Sequence, residues 1–168
     1  YVLQANSDAF REVYAWILGR IATSGWSEVV LMVPYFLLAA GIVFRYRRAL
    51  DVLAVGDEEA QALGLEPRKI RVIVVLAASL GAAAAVSVSG LIGFVGIIVP
   101  HAVRLAFGAS HRVLVPLSIL FGGAFMVLAD LAARTIVEPA ELPIGVVTAF
   151  LGAPFFVLVL RTSRRSVW

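Results

Sequence analysis

Pro100, His101 and Arg104 fall within five positions at the end of the apolar run GFVGIIVPHAVR, residues 93–104. With His111, Ser87, Ser89 and Asp130 they supply the residue types that a hydrolase or a metal site requires. A Ser-His-Asp mechanism needs the imidazole placed between hydroxyl and carboxylate. Here the serines stand in SVSG rather than in a GxSxG elbow. Both histidines lie beside arginines at one end of the apolar runs, and Asp130 closes a run at the opposite end. That separation argues against an intramembrane hydrolase. His101 and His111 are ten residues apart with no carboxylate close in sequence, which is a poor ligand set for a metal. Hydrogen bonding at an interface accounts for both imidazoles. Arg134 follows Asp130 by four residues, so an i,i+4 ion pair is expected there rather than a proton relay. There is no cysteine and no GxxxxGK[ST] loop, so thiolate chemistry is excluded and a phosphate-cradling site is not expected.

The elements that must carry these residues are unusually apolar. The chain has 168 residues, 61% of them hydrophobic and only 15% charged, with a mean hydropathy of +0.97. Water-soluble domains run at roughly 45–50% apolar and about 25% charged. A chain of this size cannot bury so much apolar surface within itself, so lipid must form part of its solvent. A membrane-crossing helix needs about 20 mostly apolar residues. Four stretches supply them: Trp26–Phe44, Val72–Gly90, Val113–Ala129 and Leu142–Leu160. Leu91–Val99 is apolar but short. The uncharged run from Val72 to Val99 is too long for one straight span. Gly90 and Gly93 allow a break, with Leu91–Arg104 returning as a short helix that Pro100 kinks or ends. The segmentation is therefore 1–25 external, 26–44 spanning, 49–67 on the cytoplasmic side, 70–90 spanning, 91–104 short and spanning, 113–133 spanning and 142–160 spanning.

Charge supports that threading. One side receives Arg45, Arg47, Arg48, Arg68, Lys69, Arg71, Arg104, Arg112, Arg161, Arg164 and Arg165, and the other only Arg11, Arg20 and Arg134. An eleven-to-three division of Lys and Arg predicts which side is cytoplasmic. It also explains the net charge of +3 without nucleic acid, because the basic residues punctuate apolar runs instead of sharing a face. Trp16, Trp26 and Tyr46 suit interfacial positions. Small residues such as Ser79, Gly81, Ala83, Ala85, Gly122 and Gly123 suit close helix packing in lipid.

ALDVLAVGDEEAQALGLEP, residues 49–67, is too polar to cross. Its pattern predicts two short helices. The first runs over Ala49–Val55 and stops at Gly56. Asp57 caps the second through its carboxylate, with Glu58 and Glu59 in the first turn, where the helix dipole favours negative charge. Gly64 closes it and Pro67 prevents continuation. Leu53, Val55, Ala60 and Leu63 offer an apolar face to a soluble partner.

Three stretches carry a family resemblance: LAVGDEEAQALGLE at 53–66, SGLIGFVGIIVPHAVRLAFGASHRVLVP at 89–116, and LADLAARTIVEPAELPIGVVTAFLGAPFF at 128–156, with WILGR at 16–20. Together they resemble the permease subunits of ABC importers for iron chelates, haem and cobalamin, the type II importers. Members are about twice as long, with ten membrane helices, and this chain is similar to the C-terminal half, helices six to ten. Its first residues, YVLQANSDAF, show no secretory signal and no initiator methionine, which predicts a chain that begins partway through a longer protein.

The resemblance implies an all-α polytopic fold with a bent pair of coupling helices on the cytoplasmic side. Gly56 would form the bend, and Asp57, Glu58, Glu59, Ala60, Leu63 and Gly64 would lie on the surface received by two ABC ATPase subunits. Pro100, His101 and Arg104 would mark a cytoplasmic helix end. Pro143, Gly145, Gly152 and Pro154 would shape a helix lining the pathway or the interface with a second permease subunit, in a homo- or heterodimer. Arg134, Glu138 and Glu141 would face an extracytoplasmic substrate-binding protein. The chain itself would bind no cofactor, with ATP and Mg held by the partner ATPase. The implied location is the bacterial cytoplasmic membrane, with several passes. A secondary transporter or a structural membrane subunit is the alternative, and dependence on a partner ATPase separates the readings.

Overall fold

The structure is a computed structural model that describes residues 10, 13–19, 21, 25–136 and 142–163, with side chains detailed for all but a few near the end of the last helix. Every regular element among the described residues is helical. Six helices follow in order: α1 (Trp26–Leu53), α2 (Asp57–Ala62), α3 (Pro67–Ser89), α4 (Val95–Phe107), α5 (His111–Thr135) and α6 (Ile144–Ser163). A short helical stretch over residues 13–17 precedes them, within the segment expected to be external.

Three of these helices, α1, α3 and α5, are long and apolar enough to cross a membrane, and Val95–Phe107 and Ile144–Val157 are shorter apolar helices. The last of the four stretches expected to span corresponds to α6, a 20-residue helix that starts after Pro143, at Ile144. Only 6% of the most apolar window of α1 is buried. Leu31, Leu37, Leu76, Leu120 and Val127 all stand more than half exposed. Such apolar exposure is stable only where hydrocarbon or another apolar surface replaces water.

The expected break between Ala49–Val55 and the preceding span does not exist. α1 runs unbroken for 28 residues from Trp26 to Leu53. Arg45, Arg47 and Arg48 end the apolar layer, but they do not end the helix, since no glycine or proline lies between Ile42 and Val55 to interrupt backbone hydrogen bonding. At its start, the Gly25 amide donates to the Glu28 carboxylate at 2.7 Å, satisfying one free N–H. Pro67 both prevents extension of the preceding segment and opens α3, where its missing N–H costs nothing. Pro100 neither ends nor closes α4. The helix continues to Phe107 and stops at Gly108, whose φ of +94° only glycine adopts readily.

The chain divides into two compact units. One contains residues 24–88 and 100–121: all of α1 and α2, nearly all of α3, and the adjoining parts of α4 and α5. Within it Gly81 of α3 lies against Ala39 of α1, so close that a Cβ would stand 3.0 Å from the alanine methyl. This is one of the small residues expected to permit close approach. The Phe107 and Phe121 rings pack with centroids 6.0 Å apart.

The other unit contains residues 1–23, 89–99 and 122–168. Its core is Ala129, Ala133, Ile144 and Val147, surrounded by Ile21, Ile92, Phe125, Met126, Ala132 and Leu142. Three backbone segments meet at its glycines. Gly90, at φ +70°, turns the chain out of α3 with its Cα facing the Trp16 carbonyl. The Leu91 amide donates to that carbonyl at 3.4 Å, and the Gly145 amide donates to the Leu18 carbonyl at 3.1 Å. A helix break is present where it was expected near Gly90, with residues 90–94 non-helical and α4 beginning at Val95.

Candidate docking surface

The charged end of the first unit holds α2 between two anchored helices. Gly56 is the N-cap of α2, and Asp57 is its first residue rather than its cap. The backbone of Gly56 is extended at φ 169°, a conformation open to any residue, so glycine is not required there for a bend. The Asp57 carboxylate is turned away from the helix amides and accepts both guanidinium nitrogens of Arg71 on α3. A fork-to-fork pair fixes orientation better than a single contact. It is half exposed on both sides, so its contribution to stability is small.

α2 ends as its sequence predicts. Gly64 has φ +76°, its amide donates to the Gln61 carbonyl at 2.9 Å, and the Leu65 amide donates to the Ala60 carbonyl at 2.9 Å. These two bonds form a Schellman motif. Glu58 and Glu59 lie exposed in the first turn, and Gly64 is exposed at the end. Val55 and Leu63 are 74% and 70% exposed. Acidic and apolar groups therefore share one accessible knob. Ala60 does not belong to its surface: it is completely buried and supports the knob from beneath.

A second anchor has no counterpart in sequence reasoning. Asp51, near the end of α1, accepts from the Ser110 hydroxyl at 2.9 Å, from the His111 backbone amide, and lies 2.9 Å from His111 Nδ1. Arg112 Nε is 3.6 Å from the same carboxylate. Asp51 thus caps the first turn of α5 from another helix, 60 residues away. It lies beyond the apolar stretch 26–44. Burial, the largest single influence, raises the Asp51 pKa; the bonds from His111 and Ser110 together outweigh it and leave the carboxyl below its usual value. The carboxylate is only 22% exposed. Arg47 folds over the Phe44 ring, 3.7 Å from its centroid.

This cluster contains a serine, a histidine and an aspartate, yet it is no catalytic relay. The carboxylate stands in the middle, accepting from both partners, so the hydroxyl has no base. Ser87 donates to the Ala84 carbonyl at 2.8 Å. The carboxylate missing from the neighbourhood of His111 in sequence is supplied by Asp51, but no group of three metal-ligating side chains forms among the described residues. His101 and Arg104 sit on α4 in its last two turns, with Arg104 exposed and favourable to the helix dipole.

In the second unit, Arg134 and Asp130 form the expected i,i+4 pair, Nε to Oδ2 at 2.8 Å. Glu138 and Glu141 lie outside the described residues. Pro143 immediately precedes α6 and Pro154 lies within it. Gly145 and Gly152 are places of close approach. A Cβ at Gly145 would overlap the Leu18 carbonyl, and one at Gly152 would overlap Phe94. Phe94 carries φ +66°, an outlier for a bulky side chain, and its carbonyl accepts the Ile97 and Ile98 amides at 2.9 Å. Neither the strain at Phe94 nor its fit against Gly152 could be read from the sequence.

The cobalamin import system permease protein BtuC of Halobacterium salinarum is 45% identical over 152 residues, covering 90% of this chain and 40% of that protein. The hemin transport system permease protein HmuU of Yersinia pestis is 37% identical over 162 residues, covering 96% and 48%. A solved structure described as an inward-facing conformation of a metal-chelate type ABC transporter superposes with a TM-score of 0.84 at 35% identity, covering 90% of this chain and 49% of that one. The chain thus spans about half the length of the relatives it matches. The FecCD transport family matches residues 1–162, and with helices of this length and apolarity the chain is a membrane protein that belongs to that family.

Proposed function

We propose that this chain forms part of the membrane-spanning permease of an ATP-driven importer that moves an iron chelate, either siderophore or haem, or cobalamin across the bacterial cytoplasmic membrane in several passes. The observation that carries the reading is the α2 knob. It is exposed, acidic and apolar together, and flanked by Asp57–Arg71 and by the Asp51 anchor. Such a surface suits a soluble partner that must push or pull on membrane helices. The family membership supports an ATPase in that role. ATP and Mg would be held there, in two copies, and this chain would contribute mechanics rather than catalysis. Closure of the ATPases would displace α2, and the helices tied to it would favour alternate access to the two sides.

A second permease subunit and an extracytoplasmic binding protein complete the proposed assembly. Arg134, Glu138 and Glu141 would meet the binding protein. Pro143, Gly145, Gly152 and Pro154 would shape α6 along the pathway or the subunit interface. Pro100, His101 and Arg104 would lie towards the cytoplasmic end of α4.

The test is charge reversal on the knob. Glu58→Lys with Glu59→Lys in the full-length permease should reduce co-purification of the ATPase subunits at least tenfold and reduce uptake with it, because both side chains are exposed on the knob and their charge would be reversed towards the partner. Unchanged co-purification and uptake would overturn the assignment.

A further inference from the structure

A groove at the start of α3 has the chemistry of a lipid site, independent of the transport reading. It is an open depression of about 780 Å³ whose lining includes Leu65, Glu66, Arg68, Lys69, Val72 and Ile73. Arg68 and Val72 are four residues apart on α3, as are Lys69 and Ile73. At that spacing each cation stands one turn from an apolar residue on the same helix face. Val72, Val75 and Leu76 are 51%, 61% and 65% exposed, so an apolar strip continues up α3 from the groove.

Charge and depth then select the occupant. Arg71, one turn along, is already committed to Asp57. Arg68 meets no carboxylate among the described residues, and Lys69 is only loosely paired, 3.8 Å from a Glu66 that is 75% exposed. Two cations therefore face one acid. From Val72 to Ser89 the helix has no charged side chain, so Arg68 and Lys69 stand where α3 leaves the hydrocarbon layer. A ligand that satisfies both ends carries a negative group about one helical turn, roughly 5 Å, from a long apolar tail. We propose that the groove binds an anionic phospholipid, with its phosphate on Arg68 and Lys69 and an acyl chain along Val72, Val75 and Leu76.

The test uses the full-length permease in mixed micelles with equal phosphatidylglycerol and phosphatidylcholine, with retained lipid read by native mass spectrometry. Wild type should retain phosphatidylglycerol preferentially. Arg68→Gln with Lys69→Gln should lower the retained ratio on the order of tenfold, and Arg68→Gln alone should lower it about threefold. Arg45→Gln with Arg48→Gln removes the same charge from α1 and should leave most of the preference. An unchanged ratio in the Arg68/Lys69 variant overturns the proposal. So does an equal loss in the Arg45/Arg48 variant, which would mean a diffuse charge effect. Loss of ATPase co-purification with the lipid ratio intact would assign the groove to a protein partner and overturn it too. Symmetric micelles make the result independent of which side faces the cytoplasm.

Discussion

Gly90→Ala and Gly145→Ala should each destabilise the full-length permease by ~3 kcal/mol, through a carbonyl oxygen that cannot move. At Gly90 two costs add. The backbone sits at φ +70°, and the new methyl would occupy the space of the Trp16 carbonyl. That carbonyl is fixed by the Gly19 amide at 3.1 Å and the Leu91 amide at 3.4 Å. At Gly145 the methyl would meet the Leu18 carbonyl, which the Gly145 amide itself holds at 3.1 Å. Relief would require separating the α6 start from the 16–19 segment and losing that bond. Gly93→Ala is the control, since nothing lies within 4 Å of its added Cβ. The measurement is the thermal midpoint of detergent-purified protein. A fall of several degrees for the first two and none for the third is expected. Equal midpoints for all three would show that the three segments do not meet as described.

Asp51→Asn should be the most costly single polar change. The amide retains the shape of the side chain but loses its charge and one of its acceptor oxygens. The Ser110 hydroxyl, the His111 amide and the His111 ring then compete for one carbonyl, at a cost of about 1–3 kcal/mol. The pH dependence has a definite sign. Because the folded state holds the Asp51 pKa below its ordinary 3.8, the carboxylate stabilises the fold above pH 3.8, and that stability is lost as pH falls through the depressed value. The midpoint difference between wild type and Asp51→Asn should therefore be full at neutral pH and shrink below pH 3.8. A difference that stayed constant into acid would show that the ionised carboxylate is not what anchors α5.

Much of this architecture was legible because lipid imposes simple demands. Apolar length marked the helices, Gly90 marked the end of α3, and Gly64 with Pro67 bounded α2. The i,i+4 spacing of Asp130 and Arg134 was enough to pair them. Misreadings arose where side-chain chemistry was taken for backbone behaviour. Arg45, Arg47 and Arg48 end the apolar layer without ending the helix; Asp57 has the right type for a cap, yet its carboxylate pairs with a guanidinium 14 residues on instead of with the helix amides. Pro100, expected to kink or end the apolar part of a short helix over Leu91–Arg104, lies inside α4, since a helix in lipid tolerates proline when its neighbours resatisfy the backbone. The Asp51 cluster was hidden for a different reason. Its partners are 59 to 61 residues away, and only the folded arrangement of α1 and α5 brings them together.

The uninterrupted length of α1 has a mechanical consequence. At 1.5 Å per residue its 28 residues form a rod about 42 Å long, with no joint between the hydrocarbon layer and the elbow that follows Leu53. A hinged pair of helices would absorb a small thrust by folding at the joint. A helix that is continuous through the layer boundary hands the thrust from residues 54–56 into the hydrocarbon layer, where Pro34, which removes one backbone hydrogen bond, is the place within α1 at which it can bend.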